Sequence, residues 1–209
     1  NLNGRLNLFF SHIDSTFSDH GIFRLFWHSW AKLPGDMYRS NQPYPFQIKR
    51  YIKKYDIKSI LNLRGERNCS SYFLEKNFCD KYNIKLYNFP ISSRDLPDKE
   101  KLLNFEILLN NIDYPCIMHC KSGADRAGLG AALYLIYKQK YSIEKASKQL
   151  TFKHLHIKYA KTGILDFFFQ QVINEKIKNK SEFLNWITKN YDKKSLKQNY
   201  KTNTFFDFL

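Results

Sequence analysis

Two residues able to do covalent chemistry, Cys120 and Arg126, share the stretch HCKSGADRAG, His119 to Gly128. A thiol attacks only as its thiolate. The apolar run Pro115 to Cys120 ahead of it reads as a strand, and the apolar run Ala127 to Tyr137 behind it reads as a helix. A cysteine at that junction faces the unpaired N–H groups and the positive dipole end of the helix, and both favour the thiolate. The same N–H groups form a nest for a tetrahedral dianion. Gly123 allows the sharp turn. The planar fork of Arg126 grips two oxygens at once. The loop therefore suits attack on a phosphoryl group, held by Lys121, Ser122, Gly123, Ala124, Asp125 and Arg126. This chemistry needs no metal and no other cofactor.

The elements around the loop follow from periodicity. Strands are expected over Asp36 to Ser40, Ile57 to Leu63, Ile84 to Phe89 and Pro115 to Cys120. Helices are expected from Pro43, over SSYFLEKNFCDKY, and from Asp98, which serves as N-cap. The run Ala127 to Tyr137 is apolar on nearly every face and predicts a buried helix. SIEKASKQL, TGILDFFFQQVINEK and SEFLNWITKN make the rest helical, and the chain from about Asp192 is expected to fray. Alternation of strands and helices predicts an α/β fold with a mostly parallel central sheet flanked by helices on both faces and a helical C-terminal half.

Composition narrows the partners. The 209 residues are 43% hydrophobic, enough for a core, and 34 Lys+Arg against 19 Asp+Glu give a net charge of +15. That favours an anionic partner, although a Lys/Asn-rich composition raises the charge by itself. Nucleic acid would explain the charge but not the loop, and is not expected. The four cysteines show no zinc spacing and are too few for a disulfide scaffold, which suits a reducing compartment. No run of 18 apolar residues is present. Phe23, Phe26, Trp27 and Trp30 form one helical stripe, read as core packing, with contact to a membrane surface as the alternative.

HCKSGADR resembles the His-Cys-x5-Arg signature of the cysteine-dependent protein tyrosine phosphatase superfamily, in particular its compact dual-specificity branch. YRSNQP and NLRGE are similar to stretches of bacterial members. The resemblance covers roughly Tyr38 to Ile173. It implies a dual-specificity phosphatase fold, Cys120 as nucleophile through a cysteinyl-phosphate, and Arg126 as stabiliser of the transition state. It implies that His119 orders the loop. The general acid is usually an Asp on a separate loop, here Asp95 in FPISSRDLPDKE; Asp125 inside the phosphate loop is the rival. Two departures stand out. Ala127 replaces the usual Ser or Thr whose hydroxyl helps the thiolate leave. Asp125 and Lys121 resemble phosphoinositide phosphatases.

On this reading residues 1–36 are an N-terminal extension with the aromatic helix, 37–191 the phosphatase domain and 192–209 a basic tail. Arg39 and Arg64, taken to follow strands, and Arg94, beside Asp95, are candidate substrate-binding residues. Cys69 is either a small buried residue or a partner for Cys120. His154 and His156 lack a third metal ligand, and loop packing is expected. The expected partner is a phosphorylated protein, or an anionic phospholipid as alternative. The expected setting is a monomer in the cytoplasm, in solution or against a membrane. A pseudophosphatase that binds phosphate without turnover is the remaining class.

Overall fold

A computed structural model describes residues 29–200. Five strands, β1 (Ala31–Leu33), β2 (Met37–Asn41), β3 (Ser59–Asn62), β4 (Lys85–Asn88) and β5 (Cys116–Cys120), form one sheet in the order β1-β2-β5-β3-β4. β1 runs antiparallel to β2, and every other pairing is parallel. With eight α-helices among the described residues, this is the α/β fold with a mostly parallel sheet that the alternation predicts. β1 lies before the 37–191 span expected for the catalytic domain, and a helix, Lys193–Gln198, lies after it in the stretch expected to fray. Phe23, Phe26 and Trp27 of the aromatic stripe and the terminal FFDFL lie outside the described residues. Among the described residues no helix is long and apolar enough to cross a membrane.

The described chain divides into two compact units, residues 29–90 with 113–122 and residues 91–112 with 123–200. The first holds the sheet, α1 (Pro45–Tyr55) and α2 (Ser70–Lys81). α1 starts where Pro45 needs no N–H partner, and Gln47 Oε1 accepts from the Tyr44 N–H at 2.8 Å. It ends at Asp56, whose φ of 52° leaves the helical region. Its buried Ile48 joins Tyr38, Ile57, Ile60, Phe78, Cys79, Ile84 and Ile117 in one core. Trp30, the described member of the aromatic stripe, stacks on Tyr51 at 4.0 Å and on Tyr38 at 5.0 Å, which is the packing role expected of it. Gly65 closes the turn after β3 at φ 75°, and a Cβ there would meet the Pro90 Cβ at 2.7 Å.

The second unit is helical: α3 (Lys99–Asn111), α4 (Asp125–Gln139), α5 (Ile143–Ser147), α6 (Ile164–Asn174), α7 (Lys180–Lys189) and α8 (Lys193–Gln198). Every residue of α4 from Ala127 to Tyr137 is buried, as its unbroken apolarity predicts. α6 buries Leu165, Phe168, Phe169 and Val172. Phe168 meets Phe183 of α7 at 6.2 Å and Tyr191 at 5.7 Å. Each such ring contributes about 1.5–3 kcal/mol by leaving water. The Tyr191 hydroxyl donates to the Pro97 carbonyl at 2.7 Å, which ties the α7–α8 junction to the loop before α3.

Candidate active site

Parallel pairing aligns the carboxyl ends of β2, β3, β4 and β5, the end at which open α/β sheets bind ligands. Cys120 is the last residue of β5, opposite Asn41 of β2, and His119 is opposite Asn62 of β3. Beyond the strand ends, the Gln42 N–H donates to the Lys121 carbonyl at 3.3 Å and the Leu63 N–H to the His119 carbonyl at 2.9 Å. Both neighbours of β5 therefore hold the backbone on either side of Cys120, which is itself 2% exposed.

A buried polar network lies beneath this edge. His119 Nε2 is 2.9 Å from Glu75 Oε1, with both side chains at most 1% exposed. The Gln42 Nε2 amide donates to Glu75 Oε2 at 3.3 Å, and Arg64 Nη1 donates to Gln42 Oε1. His119 Nδ1 is 3.3 Å from the Cys120 carbonyl. The two ring nitrogens thus face Glu75 and the backbone carbonyl at the strand end. Glu75 was not singled out in the sequence. Its signal is a charge on the helical face shared with Ser71, Tyr72, Phe78 and Cys79, all buried. Arg64 follows β3 as expected but is 8% exposed. Arg39 lies within β2, not after it, and has no exposed surface. The four cysteines are free, and Cys69 stands at the N-cap of α2 with its sulfur 3.4 Å from Ser71 Oγ.

The rest of the loop belongs to the second unit. Gly123 takes a φ of 78° in the turn, and α4 begins at Asp125, two residues earlier than its apolar run. Arg126 is therefore the second residue of the helix and is partly exposed. Asp125 Oδ1 is 2.7 Å from His156 Nδ1, and His156 Nε2 is 2.6 Å from Asp166 Oδ2. Burial works against a charge on His156, but hydrogen bonds to Asp125 and Asp166 outweigh it and raise the imidazole pKa to about 9. The packing expected of His156 is thus ionic, and its two partners are 31 and 10 positions away in the chain.

Asp95 is held differently. Its carboxylate accepts from Lys193 at 2.8 Å and Lys197 at 2.9 Å, both on α8. Burial alone would raise its pKa, but the two ammonium groups outweigh it and hold the carboxyl below the ordinary value. Arg94 beside it is exposed. Asp98 takes the N-cap position of α3, yet its side chain makes no cap hydrogen bond and pairs with Lys193 at 2.8 Å instead.

A model described as the tyrosine phosphatase family matches residues 28–188. Inositol diphosphatase DSP3 of Arabidopsis thaliana is 31% identical over 107 residues, 48% of this chain and 50% of that protein. The chain thus spans about half the length of this curated relative. Among solved structures, the core catalytic domain of the PP-IP phosphatase SIW14 from S. cerevisiae, in complex with citrate, aligns with a TM-score of 0.53. Its identity is 20%, over 71% of this chain and 92% of that one. TpbA of P. aeruginosa in complex with pTyr aligns with a TM-score of 0.50 at 16% identity, over 70% of this chain and 97% of that one. At these identities the structural likenesses speak for the fold.

Proposed function

This chain belongs to the tyrosine phosphatase family, and from that premise we propose that it hydrolyses an inositol diphosphate or a related small anionic phosphoanhydride through a cysteinyl-phosphate on Cys120. Cys120 attacks the phosphorus in line with the leaving oxygen, and the P–O bond breaks as the S–P bond forms. Arg126 and the N–H groups of residues 121–126 hold the equatorial oxygens. Lys121, inside the loop, adds positive charge for a multiply charged substrate, whereas burial favours a structural role for Arg39. Water then attacks the thiophosphate and returns the thiolate. With Ala127 in place of a hydroxyl residue, this second step lacks the hydroxyl that would help the thiolate leave.

One observation carries the choice of substrate: both acid candidates are ion-paired, Asp95 with Lys193 and Lys197 and Asp125 with His156. An ester leaves as an alkoxide or phenoxide and needs a proton from the enzyme, whereas an anhydride leaves as phosphate and needs far less help. The inositol diphosphatase relative supports the same reading. The second reading is a phosphotyrosine or other phosphoprotein phosphatase, which the description of the matching family favours. The free cysteines suit work in a reducing, cytoplasmic compartment.

The deciding experiment compares kcat/KM on an inositol diphosphate, an inositol monophosphate, a phosphotyrosine peptide and phosphoinositide vesicles. The anhydride is expected to be turned over fastest; a faster phosphopeptide would replace the proposal with the second reading. Asp95→Asn supplies an independent check. It is expected to cost less than about tenfold on the anhydride, where a general acid is worth on the order of 10²–10⁴-fold on a poor leaving group. A loss of the larger size on the anhydride would make Asp95 its proton donor.

A further inference from the structure

We infer that His156 is a positioning residue: it clamps Asp125, at the head of α4, to Asp166, in the first turn of α6, and so fixes the helical turn that carries Arg126. The inference rests on reading residues 120–126 as the phosphate loop. The imidazole is 1% exposed, while the two carboxylates are 22% and 20% exposed. Both ring nitrogens face carboxylate oxygens, at 2.7 and 2.6 Å. A carboxylate at these distances accepts, so both nitrogens donate, and only the imidazolium has two donors. The raised pKa of the ring agrees with this geometry.

The clamp sits where small movements matter. Asp125 and Asp166 each occupy the first turn of a helix, where a carboxylate is also favoured by the dipole. One imidazolium therefore ties two helix starts together. The ring is presented from a stiff loop. The His154 and His156 N–H groups both donate to the Thr151 carbonyl, at 3.0 and 3.2 Å, and the Leu155 N–H donates to the Phe152 carbonyl at 2.8 Å. Leu155 takes the left-handed conformation at φ 64°, which turns the chain so that His156 points back from it. A carboxylate fixed in this way serves as a brace for its helix, not as a proton donor. Arg126 is the next residue, so the direction of its guanidinium depends on the brace.

The test uses His156→Gln, Asp166→Asn and their combination. Three quantities are measured: kcat/KM on an aryl phosphate with an acidic phenol, kcat/KM on an alkyl phosphate, and the affinity for inorganic phosphate. Misplacing a substrate-binding group typically costs on the order of 10²-fold or less. Each single variant is expected to lose about 10- to 100-fold on both substrates, with the ratio between substrates unchanged and phosphate binding weakened. The double variant is expected to be no worse than the worse single one, since the three residues act as a unit. A steeper loss on the alkyl phosphate would assign proton transfer to the triad and overturn the clamp. Unchanged kinetics and phosphate affinity would overturn it as well. Proton NMR of the His156 ring is the readout that needs no turnover: in Asp166→Asn its titration is expected to move down toward the ordinary histidine value. If His156→Gln does not fold, Asp166→Asn, which keeps the ring and one partner, decides alone. A wild-type protein inactive on every phosphate compound would refute the phosphatase reading, while phosphate affinity and the ring titration would still judge the clamp.

Discussion

Cys120→Ser is expected to lower turnover of any phosphate substrate by on the order of 10⁴-fold or more, with inorganic phosphate still bound. A serine hydroxyl is not ionised near neutral pH and needs a neighbouring base to attack. No such base is at hand on the adjacent residue. His119 has one ring nitrogen 2.9 Å from Glu75 and the other 3.3 Å from the carbonyl of residue 120. The parts proposed to bind phosphate are backbone N–H groups and Arg126, which the substitution leaves alone. Steady-state hydrolysis of an aryl phosphate, with calorimetric titration of phosphate into the same variant, checks both halves. A variant turning over within tenfold of the native rate would show that the sulfur forms no covalent intermediate.

Arg126→Lys is expected to cost on the order of 10³-fold in kcat/KM, most of it in kcat. Lysine keeps the positive charge, so the long-range attraction of an anionic substrate survives. It loses the two parallel N–H bonds that follow the phosphoryl oxygens as charge spreads over them in the transition state. A comparable arginine contact to a transferring phosphoryl group is worth on the order of 10³–10⁵-fold. Position sharpens the expectation. Arg126 is the second residue of α4, beside the Asp125 that His156 holds, so its origin is fixed and a shorter reach cannot be made up by moving the helix. Arg126→Lys and Arg126→Ala assayed side by side make the check. Lysine retaining more than a tenth of native kcat/KM would mean that charge alone suffices and that the fork geometry is unimportant.

Much of the architecture was written in local patterns. Helices α1, α2, α3 and α4 start within a few residues of where prolines, caps and apolar spacing place them, because those signals act over one or two turns. The four parallel strands were legible as short segments bounded by turn residues or loops, three of them mainly apolar. β1 was not. It is three residues long and antiparallel, and its partner is chosen by sheet pairing, not by any alternation of its own. α8 was hidden for a related reason. Its six residues bury nothing, and its lysines find their acidic partners on a loop nearly a hundred positions earlier.

The candidate site divides the same way. The chain by itself determined the turn at Gly123 and the helix behind it, and it pointed to the proposed nucleophile and arginine, since all of these lie within one contiguous stretch. Tertiary structure decided everything that depends on which remote charges meet. It enclosed Arg39 in β2, joined Glu75 to His119, bound Asp95 to Lys193 and Lys197, and set His156 between Asp125 and Asp166. A sequence lists charges but not their neighbours. An aspartate reads as a proton donor until packing brings an ammonium or an imidazolium within 3 Å of it, and that distance is set by how helices and loops from distant parts of the chain come to rest.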